Sequence, residues 1–344
     1  VEVNGSKQNP LASAGAGEIV ALPKLKITQL ADALCGPGAK AKFAPFVFPS
    51  PVTFSAVAAK SQGDEDKIGT ALSRIAEEDP TVRIERNTDT HETILSGMGD
   101  VQLAIAVERM KKRSNVEVIL STPKVSYKET VTGRGEGHYR HKKQSGGRGQ
   151  FGEVYLRVEP RREDEPDWFI DAVVGGAIPN NFIPAVEKGV VEGMAHGSVA
   201  GYPVVNFKAS VYDGSYHEVD SSEISFKIAG ARAFREGMSK AKPVLLEPIM
   251  NLRIMVPEHF MGDVTGDLSH RRGRINGMEN DEGHQIILAE APQAELFRYC
   301  AELRSMTGGR GTFEMTFARY DIVPSTVAQK IVAESVKHKQ EEEE

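Results

Sequence analysis

Residues 52–120 switch between the two periods that side-chain direction imposes on secondary structure. VTFSAVAA reads as a strand. DEDKIGTALSRIAEED follows, with Ile68, Ala71, Leu72 and Ile75 at i, i+3, i+4 and i+7 and acids crowding its start, the pattern of an amphipathic helix. TVRIER and ETILSG predict two strands around a polar turn. GDVQLAIAVERMKKR predicts a second helix, with Leu103, Ala106, Val107 and Met110 on one face and cations at its C-terminal end, and VEVIL closes the unit as a strand. The order is β-α-β-β-α-β, the split βαβ unit.

Residues 249–319 repeat that order: NLRIMV, a helix around Phe260, Val264 and Leu268, then GRINGME and HQIILAEA as strands. A helix with Leu296, Tyr299, Cys300 and Leu303 on one face ends at the glycine pair 308–309, a C-cap signal, and TFEMTFAR alternates Phe313, Met315 and Phe317 inward. Between the two units, PKVSYKETV and EVYLRVEP predict strands separated by the basic, glycine-rich GRGEGHYRHKKQSGGRGQFG. A helix begins near Pro184, with Ile183, Val186, Val190 and Met194 along one side. GYPVVNFKASVYDG predicts a long strand, and SEISFKIAGARAFREGM a helix opened by Asp220 with Glu223 three residues on. Ahead of all this, GAGEIVAL reads as the last strand of a β-barrel, followed by a Gly/Pro-rich linker. The last twenty residues read as a short helix ending in four glutamates, frayed and solvated. The expected fold is therefore multidomain α+β. Its parts are 1–40, a barrel remnant and linker; 41–122, ferredoxin-like; 123–246, α/β; 247–325, ferredoxin-like; and 326–344, a helix with an acidic tail.

Composition adds limits. At 344 residues the chain exceeds one comfortable core, and its 40% hydrophobic and 26% charged residues are those of a folded soluble protein. No run is long enough to span a bilayer, and the two cysteines, Cys35 and Cys300, have no metal or redox spacing, which fits a reducing cytoplasm. The net charge of −6 counts against a nucleic-acid coat protein but allows local basic contacts. The chain opens at Val1 with what reads as mid-domain sequence, so a longer parent protein is expected.

Chemistry concentrates in VYDGSYHEVDSSE, residues 211–223. Ser215 and His217 could be two members of a hydrolase triad, but an extended chain separates them by roughly 6.5–7 Å, and no nucleophile elbow lies nearby. Alternatively Asp213 and Gly214 form a plain turn before a capped helix. That reading leaves Tyr216 and His217 unexplained, two amphipathic rings beside a helix N-terminus that favours anions. The loop at 134–150 tips the balance toward contact. Arg134, Arg140, Lys142, Lys143 and Arg148 are opposed there only by Glu136, glycines let backbone approach a ligand, and RNA backbone is the expected partner. The expected contact set is Gly146, Gly147, Arg148, Gly149, Gln150, Asp213, Gly214, Ser215, Tyr216 and His217. Arg140, Lys142 and Lys143 are further candidates, as are Arg271 and Arg272 in SHRRGR, whose other reading is helix charge compensation. No GxxxxGK[ST] phosphate loop occurs, and no His, Cys or carboxylate cluster has metal-ligand spacing, so no catalytic site, cofactor or metal is expected within the chain.

The runs DEDKIGTALSRIAEEDPT, SGGRGQFGEVYLRVEP, GGAIPNNFIPAVEKGV, YDGSYHEVDSSE, KPVLLEPIM, MGDVTGDLSHRRGRINGM and LRSMTGGRGTFEMTF closely resemble bacterial translation elongation factor G, in order and over nearly the whole chain. The resemblance implies the tail of that family's second domain and all of its third, fourth and fifth. The fourth would be an elongated α/β module with a left-handed crossover, its tip built here from Ser145–Gln150 and Asp213–Ser221. It further implies a cytoplasmic, monomeric, ribosome-binding factor that moves the tRNA–mRNA pair. The fourth domain would act at the decoding site and the fifth at the GTPase-associated region of the large subunit, with GTP and Mg²⁺ held by a domain preceding Val1. GEGHYRHKKQSGG is more similar to elongation factor G-like paralogues. Translocase, paralogue and a related translational GTPase in recycling or protection all stay open, as does, more remotely, a free-standing hydrolase.

Overall fold

The computed structural model describes all residues except 29, 39–42, 45, 145–148, 163, 282 and 344, and the side chains of 62, 65 and 337–343. Two compact units divide the chain: residues 1–85 with 93–121, and residues 86–92 with 122–344.

In the first unit, β1 (Glu2–Asn4) and β2 (Lys7–Asn9) form a small antiparallel hairpin. GAGEIVAL is not a strand, and no barrel is present among the described residues. A strand needs a neighbour for its N–H and C=O groups and cover for its apolar face. Among the described residues this segment finds only one such neighbour, Val1, which exchanges hydrogen bonds with Ala21 (2.8 and 2.9 Å), and its apolar face is uncovered: Ile19 is 98% exposed.

The split βαβ order follows as expected: β3 (Thr53–Ala59), α1 (Glu65–Glu78), β4 (Arg83–Arg86), β5 (Thr93–Gly97), α2 (Asp100–Ser114) and β6 (Val118–Ser121). The sheet order is β4-β5-β3-β6. The helical stripes named above form the core, where Ile68, Ala71, Leu72 and Ile75 meet Leu103, Ala106 and Met110 over Leu95.

The second unit holds two sheets. β7 (Lys128–Val131), β8 (Gly135–Lys143), β9 (Gln150–Pro160) and β10 (Phe169–Asp171) precede α3 (Ile183–Met194), β11 (Phe207–Ser215) and α4 (Glu223–Lys240). Four of these strands make a sheet of order β10-β11-β9-β8, with β10 and β11 parallel across α3 and the other pairs antiparallel. Its inward face, Val154, Leu156, Val158, Ala209 and Val211, packs on Val186, Val190, Phe226 and Phe234 of α3 and α4.

Three expectations change here. GEGHYRHKK is strand β8 and not loop, because its glycines lie under a helix. A Cβ at Gly135 or Gly137 would collide with the α4 backbone at Gly237 and Ala233. The strand predicted from Gly201 begins only at Phe207, after Asn206 in the left-handed region (φ 55°). The cap of α4 is Ser222, whose hydroxyl accepts from Ser225 N at 3.3 Å; Asp220 faces elsewhere.

β12 (Pro243–Pro257), α5 (Met261–His270), β13 (Arg274–Asp281), β14 (His284–Pro292), α6 (Tyr299–Met306) and β15 (Thr312–Ile322) repeat the first sheet's topology, in the order β13-β14-β12-β15. β7 pairs with the start of β12, so one long strand serves both halves of the unit. Phe317 is exposed and not inward: a bulge leaves Ala318 unpaired opposite Ile249 and Met250, which moves the inward positions from odd to even numbers. α7 (Ser325–Glu343) is partly docked, with Ile331 buried beside Ala200, Leu245 and Val323.

Candidate nucleic-acid interface

β9 starts and β11 ends at the same end of the sheet, since Ser215 pairs with Glu153. The start of β9 and the segment leading into α4 therefore meet there. Phe151 N donates to Asp220 O (2.9 Å), and Ser221 Oγ donates to Phe151 O (3.1 Å). Asp220 Oδ1 accepts from Gly149 N at 3.0 Å. A Cβ on residue 149 would sit 2.8 Å from the Asp220 carboxyl carbon, so glycine is what allows that approach. Asp220→Ala is expected to remove this tie at a cost of about 1–3 kcal/mol, read as faster amide exchange at Gly149 while the α4 amides keep their protection.

His217 closes a tight loop: its N–H donates to Ser221 Oγ (2.9 Å), and its carbonyl accepts from Ser221 N (3.1 Å). Its Nδ1 accepts from Val219 N and Asp220 N, each at 3.3 Å, so Nε2 carries the proton and is the donor of the ring. Asp220 Oδ2 lies 3.6 Å from Nδ1, too far for a hydrogen bond. The ring is more than half exposed and leans against Phe151 (6.4 Å between centroids), while Tyr216 beside it is exposed as well. No hydrogen bond joins Ser215 to His217, so a nucleophile–base pair is not assembled here.

Asp213 and Gly214 are not a turn but the end of β11, just past a bulge at Tyr212. Gly214 is required because a Cβ would strike Glu153 O and the Ile178 side chain. Gln150 begins β9, where its side chain meets His141 Nε2 (3.0 Å). Arg140 lies over the Phe151 ring at 5.2 Å, and Lys142 and Lys143 are exposed at the end of β8. Arg134 is paired with Glu136 (2.9 Å). Gly146, Gly147 and Arg148 lie outside the described residues.

Arg271 and Arg272 are not with this group. Arg271 pairs with Asp267 (2.7 Å) and Glu302 and donates to Glu295 O. Arg272 forks onto Glu247 at 2.6 and 2.8 Å and reaches Glu295 at 3.1 Å. The Glu247 hydrogen bonds hold the Arg272 guanidinium charged, above its already high ordinary range. Their donors are turned inward, so the structure gives them a pairing role within the fold and not a free phosphate-binding one.

The expected tip segment reached Asp220 and Ser221 without giving them a role there; sequence reasoning missed that they tie the tip together, and it missed Phe151 and a row of rings behind it on the sheet's open face. There His138 stacks on Tyr155 (4.1 Å) and Arg157 covers Tyr212 (5.1 Å). The signal was available as the strict alternation of Gly135, Gly137 and Tyr139 with Glu136, His138 and Arg140. Among the described residues no group of His, Cys, Asp or Glu could hold a metal, and no helix is long and apolar enough to cross a membrane.

These features define a class: a multidomain α+β protein in which two split βαβ sheets of identical strand order flank, in sequence, an α/β sheet with a ring- and donor-bearing tip. Residues 48–122 match the family model described as elongation factor G, domain III, residues 123–242 that of elongation factor G, domain IV, and residues 244–331 that of the elongation factor G C-terminus. A crystal structure of a protein from Thermus thermophilus is similar at 43% identity over 87% of this chain, with a TM-score of 0.76. This chain spans 45% of the length of that one. The chain belongs to the elongation factor G family.

Proposed function

We propose that this chain is the ribosome-engaging part of a cytoplasmic, monomeric translocation factor. Its tip, Gly149–Phe151 with Tyr216–Ser221, would enter the decoding-site region, contact the tRNA–mRNA pair and hinder its return. The second split βαβ module, β12 to β15, would meet large-subunit RNA at the GTPase-associated region. GTP and Mg²⁺ belong, in this reading, to a domain outside these 344 residues. One observation carries the proposal: two segments seventy residues apart are tied into a single exposed end, with the His217 Nε2–H and the cations Arg140, Lys142 and Lys143 gathered there. Family membership supports the rest. The basic β8 also favours a second reading, an elongation factor G-like paralogue acting in recycling or protection.

In the full-length protein, His217→Ala is expected to slow single-round translocation by about 10-fold, the equivalent of one lost stacking or phosphate contact. Ribosome-stimulated GTP turnover should stay within about two-fold, because the tip is not part of that chemistry. An unchanged translocation rate with normal GTP turnover counts against the tip. A slowed release of the post-termination complex, with translocation intact, selects the recycling paralogue.

A further inference from the structure

A second basic feature lies away from the tip, on the helix side of the same sheet. A cleft of about 620 Å³ opens between α4, the edge strand β8 and the loop that follows α3. Arg232, Arg235 and Ser239 line it from one stripe of α4, Tyr139 from β8, and His196 and Ser198 from the loop. The two arginines lie nine and twelve residues along α4 from Glu223, roughly 14–18 Å from its tip end, so this is not an extension of the first site.

Its charge is uncompensated. Arg232 lies over the Tyr139 ring at 5.4 Å, and neither Arg232 nor Arg235 has a carboxylate partner among the described residues. Glu236, the carboxylate on the wall, is already engaged, accepting from Lys240 Nζ (2.6 Å) and from His138 N (3.0 Å). Lys240's ammonium holds its carboxyl below the usual range. Like charges at i and i+3 on a helix cost a few tenths of a kcal/mol. An acidic chain that keeps two such arginines side by side, unpaired and facing a cleft, has a place for an anion.

The far wall is preorganised. Glu129 is fully buried, and its carboxylate accepts from four successive backbone N–H groups, Val199, Ala200, Gly201 and Tyr202, at 2.8–3.1 Å. A Cβ on Gly197 would run into that carboxylate. The loop carrying His196 and Ser198 is thus clamped from beneath by a buried charge, and little ordering remains to oppose binding.

From this geometry we infer that the cleft between α4, β8 and the 195–199 loop is a phosphodiester-binding site, occupied by RNA backbone through Arg232 and Arg235. The wall is rich in donors: two guanidinium forks, the Ser198 hydroxyl and the His196 ring, while Ser239 already donates to Glu236 O (2.7 Å). Arg232 covers a face of the Tyr139 ring, which leaves the site suited to phosphates more than to stacked bases. The identity of the RNA as ribosomal rests on the reading of the preceding subsection; phosphodiester binding does not.

The test is a salt series. The 344-residue chain is titrated against a fluorescein-labelled ten-nucleotide single-stranded RNA from 50 to 300 mM KCl (about 0.7 in log–log slope per phosphate contact). Arg232→Ala with Arg235→Ala is expected to reduce the slope by about 1.4 and to weaken binding at low salt. The lysine pair Arg232→Lys with Arg235→Lys should restore most of the slope. Both arginines are exposed, so unchanged circular dichroism is expected. His217→Ala, run in parallel, reports on the tip alone, so failure of one site is distinguishable from failure of the other. An unaltered slope and affinity in the double alanine variant overturns the inference. Inorganic pyrophosphate that shifts the His196 ring resonances without competing for RNA also overturns it, by assigning the cleft to free phosphates.

Discussion

Gly137→Ala is expected to destabilise the β8–β11 sheet and its helices by about 3 kcal/mol, the upper end of overpacking penalties. Here the added methyl meets backbone, which has no rotamer to yield. Its Cβ would fall inside contact distance of Ala233 O and Gly237 N on α4. The helix answers the strand with its own small residues, since Ala229, Gly230, Ala233 and Gly237 are all buried. α3 uses the same device, with Gly189 against Lys227 O. The two backbones therefore lie almost directly on one another, and a single Cβ must lift α4 from the sheet. Trp168, the chain's one tryptophan, packs on Phe207 in this core, so its fluorescence in a urea titration reads the loss directly. Gly266→Ala is the control. Nothing lies within 4 Å of its added Cβ in the middle of α5, and that substitution should raise helix stability by about 0.5–1 kcal/mol. Equal effects from the two substitutions would show that the β8 glycines are conformational and not packing residues.

Arg272→Met is expected to cost about 3–5 kcal/mol, because it strands a buried carboxylate and not because it removes a surface pair. Glu247 is 2% exposed, and both of its oxygens are held by the Arg272 fork. Glu247 stands on β12 immediately after Leu246, the last residue paired with β7, and opposite Asp321 of β15. The pair thus sits where the long strand leaves one partner set for another. Methionine keeps the left-handed backbone at this position (φ 59°), so the substitution tests the side chain alone. Adding Glu247→Leu should recover most of the loss, since a well-packed apolar pair can replace a buried ion pair. Both variants are compared by thermal denaturation. At temperatures where Arg272→Met remains folded, its RNA salt slope should match that of the unsubstituted chain. A reduced slope would return Arg272 to the RNA-contact set.

Most of the architecture was legible because helix and strand periods are local. Ile68, Ala71, Leu72 and Ile75 are spaced for one helix face, and they are buried together. The same holds for Leu103, Ala106 and Met110, and for Tyr299, Cys300 and Leu303. Period failed wherever a distant neighbour changed the account. Ile19 lacked a partner strand, Phe317 was displaced by a bulge, and the β8 glycines looked like loop until a helix was laid over them. Charge was only partly legible for the same reason. Five cations in a row of glycines are visible in the letters, as is an acid four residues before Arg271, but the pairing of Arg271 and Arg272 with Glu302, Glu247 and Glu295, 23 to 31 residues away, is not.

By itself, then, the order of residues determined the two split βαβ units, the helices between them and the family, because each depends on spacing within a short window. Only the tertiary structure decided which polar groups face outward. Gly149 meets Asp220 across 71 residues and Val199 meets Glu129 across 70. Whether a charged side chain is free to bind a partner depends on whether such a distant group has already satisfied it.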